Sequence, residues 1–128
     1  MRLLLDTQLA LWALTDSPRL SAIARDSIGA ADNEIYFSAA TVWEIAIKHA
    51  LARKDMPISG AEAARLFTEA GFEELPITAA HAAATEDLPA HHADPFDRIL
   101  VAQSLVEPLR LLTHDRLLTR YGASVQFV

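Results

Sequence analysis

Short apolar runs alternate along this chain with stretches of helical periodicity. Leu3-Leu4-Leu5, between Arg2 and Asp6, predicts a buried strand over Arg2–Leu5. Leu9, Trp12 and Ala13 then recur at helical spacing over Thr7–Thr15, and Asp16-Ser17-Pro18 closes that helix. Ser21–Gly29 predicts a second helix with Ser21 as its cap. Glu34–Ser38 reads as a strand, and the helix formers of Ala39–Arg53 follow it, with Trp43, Ile47 and Leu51 in one apolar stripe. Ser59–Ala70 is the next helix, stopped at Gly71. Phe72–Leu75 is a short strand, and Thr78–Glu86 a helix capped by Thr78. Leu88–Ala93 is a loop with two histidines. Asp94-Pro95 opens a helix running to about Val106, and Arg110–Thr113 is a strand. A short helix over Asp115–Tyr121 ends at Gly122, and Ser124–Phe127 forms the last strand.

Strands that alternate with helices predict a mostly parallel sheet covered on both faces, an α/β architecture. There is no repeat, low-complexity segment or Gly/Ser linker, so residues 1–128 read as one domain. Asp6 interrupts the first apolar run, which excludes a signal peptide or membrane span there. The expected setting is soluble and cytoplasmic.

Composition adds two constraints. The chain has no cysteine, which removes disulfides, zinc–thiolate sites and cysteine nucleophiles. Its formal net charge of −6 is unusual for a nucleic-acid binder, unless part of the acid surrounds bound cations and the local sign is reversed.

The acids fall where a parallel sheet puts its chemistry, beyond the carboxyl ends of its strands. Asp6 ends the first strand, Asp115 follows the Arg110–Thr113 strand, and Asp97 lies in the first turn of its helix. Glu44 lies about one turn into the helix that leaves the strand Glu34–Ser38. Each has an ordinary alternative. Asp6 could be a helix cap, Asp94 looks like one with Asp97 near N3, and Glu44 could form a solvated i,i+4 pair with Lys48. The apolar setting of Asp6 and Glu44 argues instead for partial burial, where a charge needs a partner or a metal. Clustered carboxylates raise one another's pKa, and a hard divalent ion relieves that repulsion. Such an ion can activate water against a phosphodiester. The histidines lack zinc-ligand spacing. His91 and His92 are adjacent, no His-x-x-x-His pair exists, and His49 and His81 stand alone on their helices, while His114 could line the cleft.

At these residues the sequence resembles the PIN-domain family, and within it the VapC-type toxins of toxin–antitoxin pairs. The resemblance is carried by Leu3-Leu4-Leu5-Asp6-Thr7, by Val42-Trp43-Glu44-Ile45-Ala46-Ile47-Lys48, by Asp94-Pro95-Phe96-Asp97-Arg98-Ile99-Leu100-Val101-Ala102-Gln103 and by Leu112-Thr113-His114-Asp115. It implies a three-layer α/β/α sandwich and an endoribonuclease dependent on Mg²⁺ or Mn²⁺. Its acidic quartet would be Asp6, Glu44, Asp97 and Asp115. Asp6 and Asp97 or Asp115 would be direct ligands, Glu44 would act through a water, and Thr7 and Thr113 would place hydroxyls near the metal. The third motif carries two aspartates. Asp97, directly before the Ile-Leu-Val-Ala-Gln run, is taken as the site acid and Asp94 as accessory. Gln8 departs from the pattern, since a histidine commonly follows the first Asp-Thr. The resemblance also implies an RNA substrate, a cognate antitoxin and a homodimer. A receiver-type phosphoacceptor needs a lysine near the acidic pocket, and the only lysines, Lys48 and Lys54, sit in or just after one helix; a haloacid-dehalogenase-like phosphatase would need an aspartate at position 8. The remaining rival is a PIN-like module that binds RNA or protein without cutting.

Overall fold

The computed structural model describes all 128 residues. Five strands, β1 (Arg2–Leu5), β2 (Glu34–Ser38), β3 (Glu73–Leu75), β4 (Arg110–Thr113) and β5 (Val125–Phe127), form one sheet in the order β3-β2-β1-β4-β5. Every pairing is parallel. Six helices connect them: α1 (Thr7–Leu14), α2 (Ala22–Gly29), α3 (Ala39–Ala50), α4 (Gly60–Glu69), α5 (Ala79–Ala84) and α6 (Pro95–Val106). Two 3-10 segments, Thr85–Asp87 and Arg116–Tyr121, complete the chain.

The central strands are apolar at successive positions because both faces are covered. Leu3, Leu5, Ile35, Phe37 and Leu112 point to one side, where α1, α2 and α4 supply Leu9, Ala24, Ala63 and Phe67. Leu4, Tyr36 and Leu111 point to the other, against Leu100 and Val101 of α6. This is a three-layer α/β/α sandwich. The chain winds outward from β1 through β2 to β3, then returns through α5 and α6 to β4 on the far side of β1. The strand order therefore reverses between β1 and β4, and a crevice opens beyond their carboxyl ends.

Several boundaries shift from the sequence-based reading. The helix expected over Ala39–Arg53 stops at Ala50, where Leu51 caps it and Ala52 turns to a positive φ of 55°. The helix expected over Thr78–Glu86 tightens into a 3-10 turn after Ala84. The predicted short helix after Asp115 is 3-10 throughout. The two sides of α3 are unlike in an unusual way. The stripe Trp43, Ile47 and Leu51 faces solvent, with Trp43 59% and Leu51 69% exposed. Its buried face is Ala40, Thr41, Glu44 and Ile45, so the polar pair Thr41 and Glu44 turns inward, and Glu44 is buried as its apolar setting predicts.

Helix α4 packs on α3 through a close approach at Gly60. A Cβ there would meet the Ala46 Cβ at 2.8 Å and the Val42 carbonyl oxygen at 3.1 Å. Neither contact is the end of a flexible side chain, so Gly60→Ala must push the two helices apart. We expect a loss of about 1–3 kcal/mol by chemical denaturation, and an unchanged midpoint would refute the close packing.

Candidate metal centre

The crevice at the β1/β4 switch point holds a cleft of about 510 Å³ lined by Asp6, Glu44, Asp97 and Asp115, with Thr7, Lys48 and Arg19 among its other walls. The four acids arrive from four elements. The ladder bond from the Asp6 N–H to the Leu112 carbonyl (3.0 Å) fixes Asp6 at the end of β1. Its Oδ1 caps α1 by accepting the Leu9 N–H at 2.8 Å, and its Oδ2 accepts the Thr113 hydroxyl at 2.6 Å. Asp6 is thus both a helix cap and a wall of the cleft. Burial pushes its carboxyl pKa up, opposed by the donors Thr113, Leu9 and the His114 backbone and reinforced by the charge of Asp115.

Glu44 reaches the same space from α3. Its Oε1 accepts the Thr7 hydroxyl at 2.8 Å and its Oε2 the Lys48 ammonium at 2.7 Å. Because Thr7 gives its only hydroxyl proton to the carboxylate, the Thr41 hydroxyl 3.0 Å away donates to Thr7. The expected i,i+4 pair with Lys48 exists, but Glu44 is only 7% exposed and the pair faces the cleft rather than open solvent. Asp115 accepts the Leu117 N–H on Oδ1 at 3.0 Å, and its Oδ2 lies 3.0 Å from His92 Nε2. The Asp115 N–H in turn donates to the Thr113 hydroxyl oxygen at 3.0 Å. Thr7 and Thr113 therefore serve the carboxylates, each giving its proton to one acid.

Asp97 differs from the other three. Both oxygens of Asp6, Glu44 and Asp115 accept a donor, whereas no hydrogen bond reaches the Asp97 carboxylate; its nearest cation-forming group is His92, at 3.5 Å. Burial first, then the charges of Asp94, Asp6 and Glu44, push its pKa up to about 7, with His92 opposing. Asp94 sits apart in role. It is the N-cap of α6, and its Oδ1 accepts the N–H groups of Phe96 and Asp97. An all-oxygen cluster with one uncompensated, proton-hungry member fits a hard divalent cation such as Mg²⁺ or Mn²⁺.

A PIN domain model matches residues 3–123. The chain belongs to the PIN-domain family. Solved structures sharing this fold include VapBC2 from Rickettsia felis bound to a promoter DNA fragment (TM-score 0.72, 15% identity, 100% of this chain and 98% of that one). DNA-bound VapBC from Salmonella typhimurium follows at TM-score 0.69 and 17% identity, over 99% and 98% of the two chains. VapBC-5 from Mycobacterium tuberculosis, a member of the VapBC family of toxin–antitoxin systems, gives TM-score 0.61 and 18% identity over 99% and 97%. No curated protein matches the chain.

One residue beside the acids of this PIN domain was not anticipated. His92 Nε2 stands beside both Asp115 and Asp97, and one nitrogen or carboxylate oxygen from each of the three lies within 4.8 Å of the other two. The adjacency of His91 and His92 counts against sharing a helix face, but Leu88–Ala93 is mostly loop, where that geometry does not apply. The available signal was position: His92 enters the same sheet edge two residues before the cap Asp94 and five before Asp97. Of the other histidines, His114 lines the cleft, whereas His81 is buried in the core with Nε2 2.7 Å from Glu107.

Proposed function

We propose that this PIN domain is a metal-dependent endoribonuclease, the toxin of a toxin–antitoxin pair, acting in the cytoplasm. The observation that carries the reading is Asp97: a half-buried carboxylate without a donor, amid three others, at the switch point of a parallel sheet. Asp6, Asp97 and Asp115 would hold Mg²⁺ or Mn²⁺, with Glu44 acting through a water. Bound there, the ion supplies Lewis-acid stabilisation of phosphodiester charge and lowers the pKa of water. Thr113 and Leu9 keep Asp6 aimed, and Thr7 and Lys48 keep Glu44 aimed. Lys48 and Arg19 put positive charge on the walls of an otherwise acidic cleft, where an RNA backbone would lie. The VapBC complexes of the same fold support a cognate antitoxin as partner. The outward stripe of Trp43, Ile47 and Leu51 supports association, which we assign to a homodimer. No helix is long and apolar enough to cross a membrane.

The test is incubation of purified protein with structured RNA in Mg²⁺, in Mn²⁺ and in EDTA. Fragments are expected with either ion and none in EDTA. RNA that survives equally in all three would leave a binding module without turnover. Arrested growth on induced expression, relieved by co-expressing the neighbouring gene, would establish the toxin role.

A further inference from the structure

His92 sits in a loop that the rest of the protein holds firmly. The Arg98 guanidinium donates to the carbonyls of Thr85 (3.0 Å), Pro89 (3.0 Å) and Leu88 (3.4 Å), tying the loop to the start of α6. Arg98 also donates to the Tyr121 hydroxyl at 3.1 Å, and that oxygen accepts the His92 backbone N–H at 3.0 Å. The ring itself is oriented from behind, since the Asp94 backbone N–H donates to His92 Nδ1 at 3.1 Å.

That last bond decides the tautomer. An Nδ1 that accepts a hydrogen bond carries no proton, so in the neutral ring the proton is on Nε2. Nε2 is then a donor, with Asp115 Oδ2 at 3.0 Å and Asp97 Oδ2 at 3.5 Å in front of it. A nitrogen that bears a proton has no lone pair to give a metal. To act as a ligand through Nε2, the ring would have to move its proton to Nδ1, against the Asp94 N–H.

We propose that His92 is a positioning residue of the metal centre: its Nε2–H holds Asp115 from outside and faces Asp97, aiming both carboxylates into one space without binding the ion. The inference rests on the metal-site reading above. Asp115 needs such a constraint because its side chain is 44% exposed and its only other donor is the Leu117 N–H. Outer hydrogen bonds to ligating groups of this kind typically change metal affinity by about 10- to 100-fold.

The experiment measures Mn²⁺ affinity by calorimetry for wild type, His92→Ala and His92→Gln, with circular dichroism as the folding control. Alanine should weaken binding by about 10- to 100-fold. Glutamine, which restores an N–H donor at similar reach, should recover most of the loss. Nitrogen-15 NMR of the imidazole should show the Nε2–H tautomer both without metal and with Mg²⁺, and the electron spin-echo spectrum of bound Mn²⁺ should show no nitrogen coupling from His92. Equal affinity in wild type and His92→Ala would overturn the proposal and leave the metal site intact. So would a nitrogen coupling that disappears in His92→Ala, because His92 would then be a ligand. Glutamine no better than alanine would remove the donor role. Wild type that binds no Mn²⁺ would sink the metal reading itself, and this inference with it.

Discussion

Asp97→Asn is expected to abolish the proposed RNA cleavage and, in the same molecule, to stabilise the metal-free fold. If Asp97 holds the ion as proposed, its loss removes several kcal/mol of transition-state stabilisation, so the rate should fall by about 10³-fold or more. The stability effect has the opposite sign. Asp97 titrates at about 7 in the fold, against an ordinary value of 3.8. Below about pH 4 the carboxyl is protonated in both folded and unfolded chains and contributes nothing. Between about pH 4 and pH 7 the unfolded chain releases the proton and the folded one keeps it, so metal-free stability falls as pH rises. Above pH 7 both are ionised and the whole penalty remains. At about 1.4 kcal/mol per pH unit that penalty is at most about 4 kcal/mol, and water reaching the partly exposed side chain reduces it to roughly 2–3 kcal/mol. Asparagine cannot ionise. In EDTA at pH 8 the variant should melt roughly 5–10 °C above wild type, with the gap closing by pH 4. Saturating Mn²⁺ should raise the wild-type midpoint, by about 2.7 kcal/mol of added stability at a hundredfold excess over Kd, and leave the variant almost unmoved. A variant that melts below wild type in EDTA, or that still cuts, would remove Asp97 from the centre.

Such a trade of stability for a charged site also explains what the sequence could and could not reveal. Strands and helices were readable because burial on both faces leaves plain apolar runs such as Leu3-Leu4-Leu5, and because Ser21 and Thr78 mark helix starts by residue type. The positions of Asp6, Asp97 and Asp115 followed from chain order alone, since parallel strands deliver their carboxyl ends to one edge. The burial of Glu44 was readable from the apolar residues around it, but what satisfies it was not, because its partner Thr7 and the Thr41 hydroxyl behind it meet across two elements. Asp94 and Asp97 both sit at the start of α6, and the sequence marked Asp94 as the cap by its place before Pro95; the donors each one meets agree, since Asp94 accepts two backbone N–H groups and Asp97 accepts none. His92 was hidden, because a loop residue has no periodicity and its aim depends on Arg98, Tyr121 and the Asp94 backbone.

Phe67→Ala should do the reverse of Asp97→Asn, lowering stability sharply while sparing the chemistry of the molecules that remain folded. The Phe67 ring is fully buried on α4, 4.9 Å from the Phe37 ring and 6.2 Å from that of Phe72. It anchors α4 to the sheet face covered by α1 and α2. Truncation leaves a cavity that three packed helices and a strand cannot collapse to fill, at a cost of about 3–5 kcal/mol. Against a total of about 5–15 kcal/mol, the melting midpoint should drop by roughly 10–20 °C. Phe67 does not line the cleft. Well below the new midpoint, cleavage per folded molecule should stay within about twofold of wild type. Mn²⁺ should still raise the midpoint, since every group that would hold it is intact. Measured together, the two variants separate the parts of the fold. If Phe67→Ala lost cleavage at temperatures where circular dichroism shows it folded, the cleft would depend on α4 packing more than its own hydrogen bonds imply. Unchanged stability would mean that the ring does not sit in the core. The predicted pattern, one variant more stable and inactive and the other less stable and active, requires that the acids strain the fold and the aromatic layer carries it.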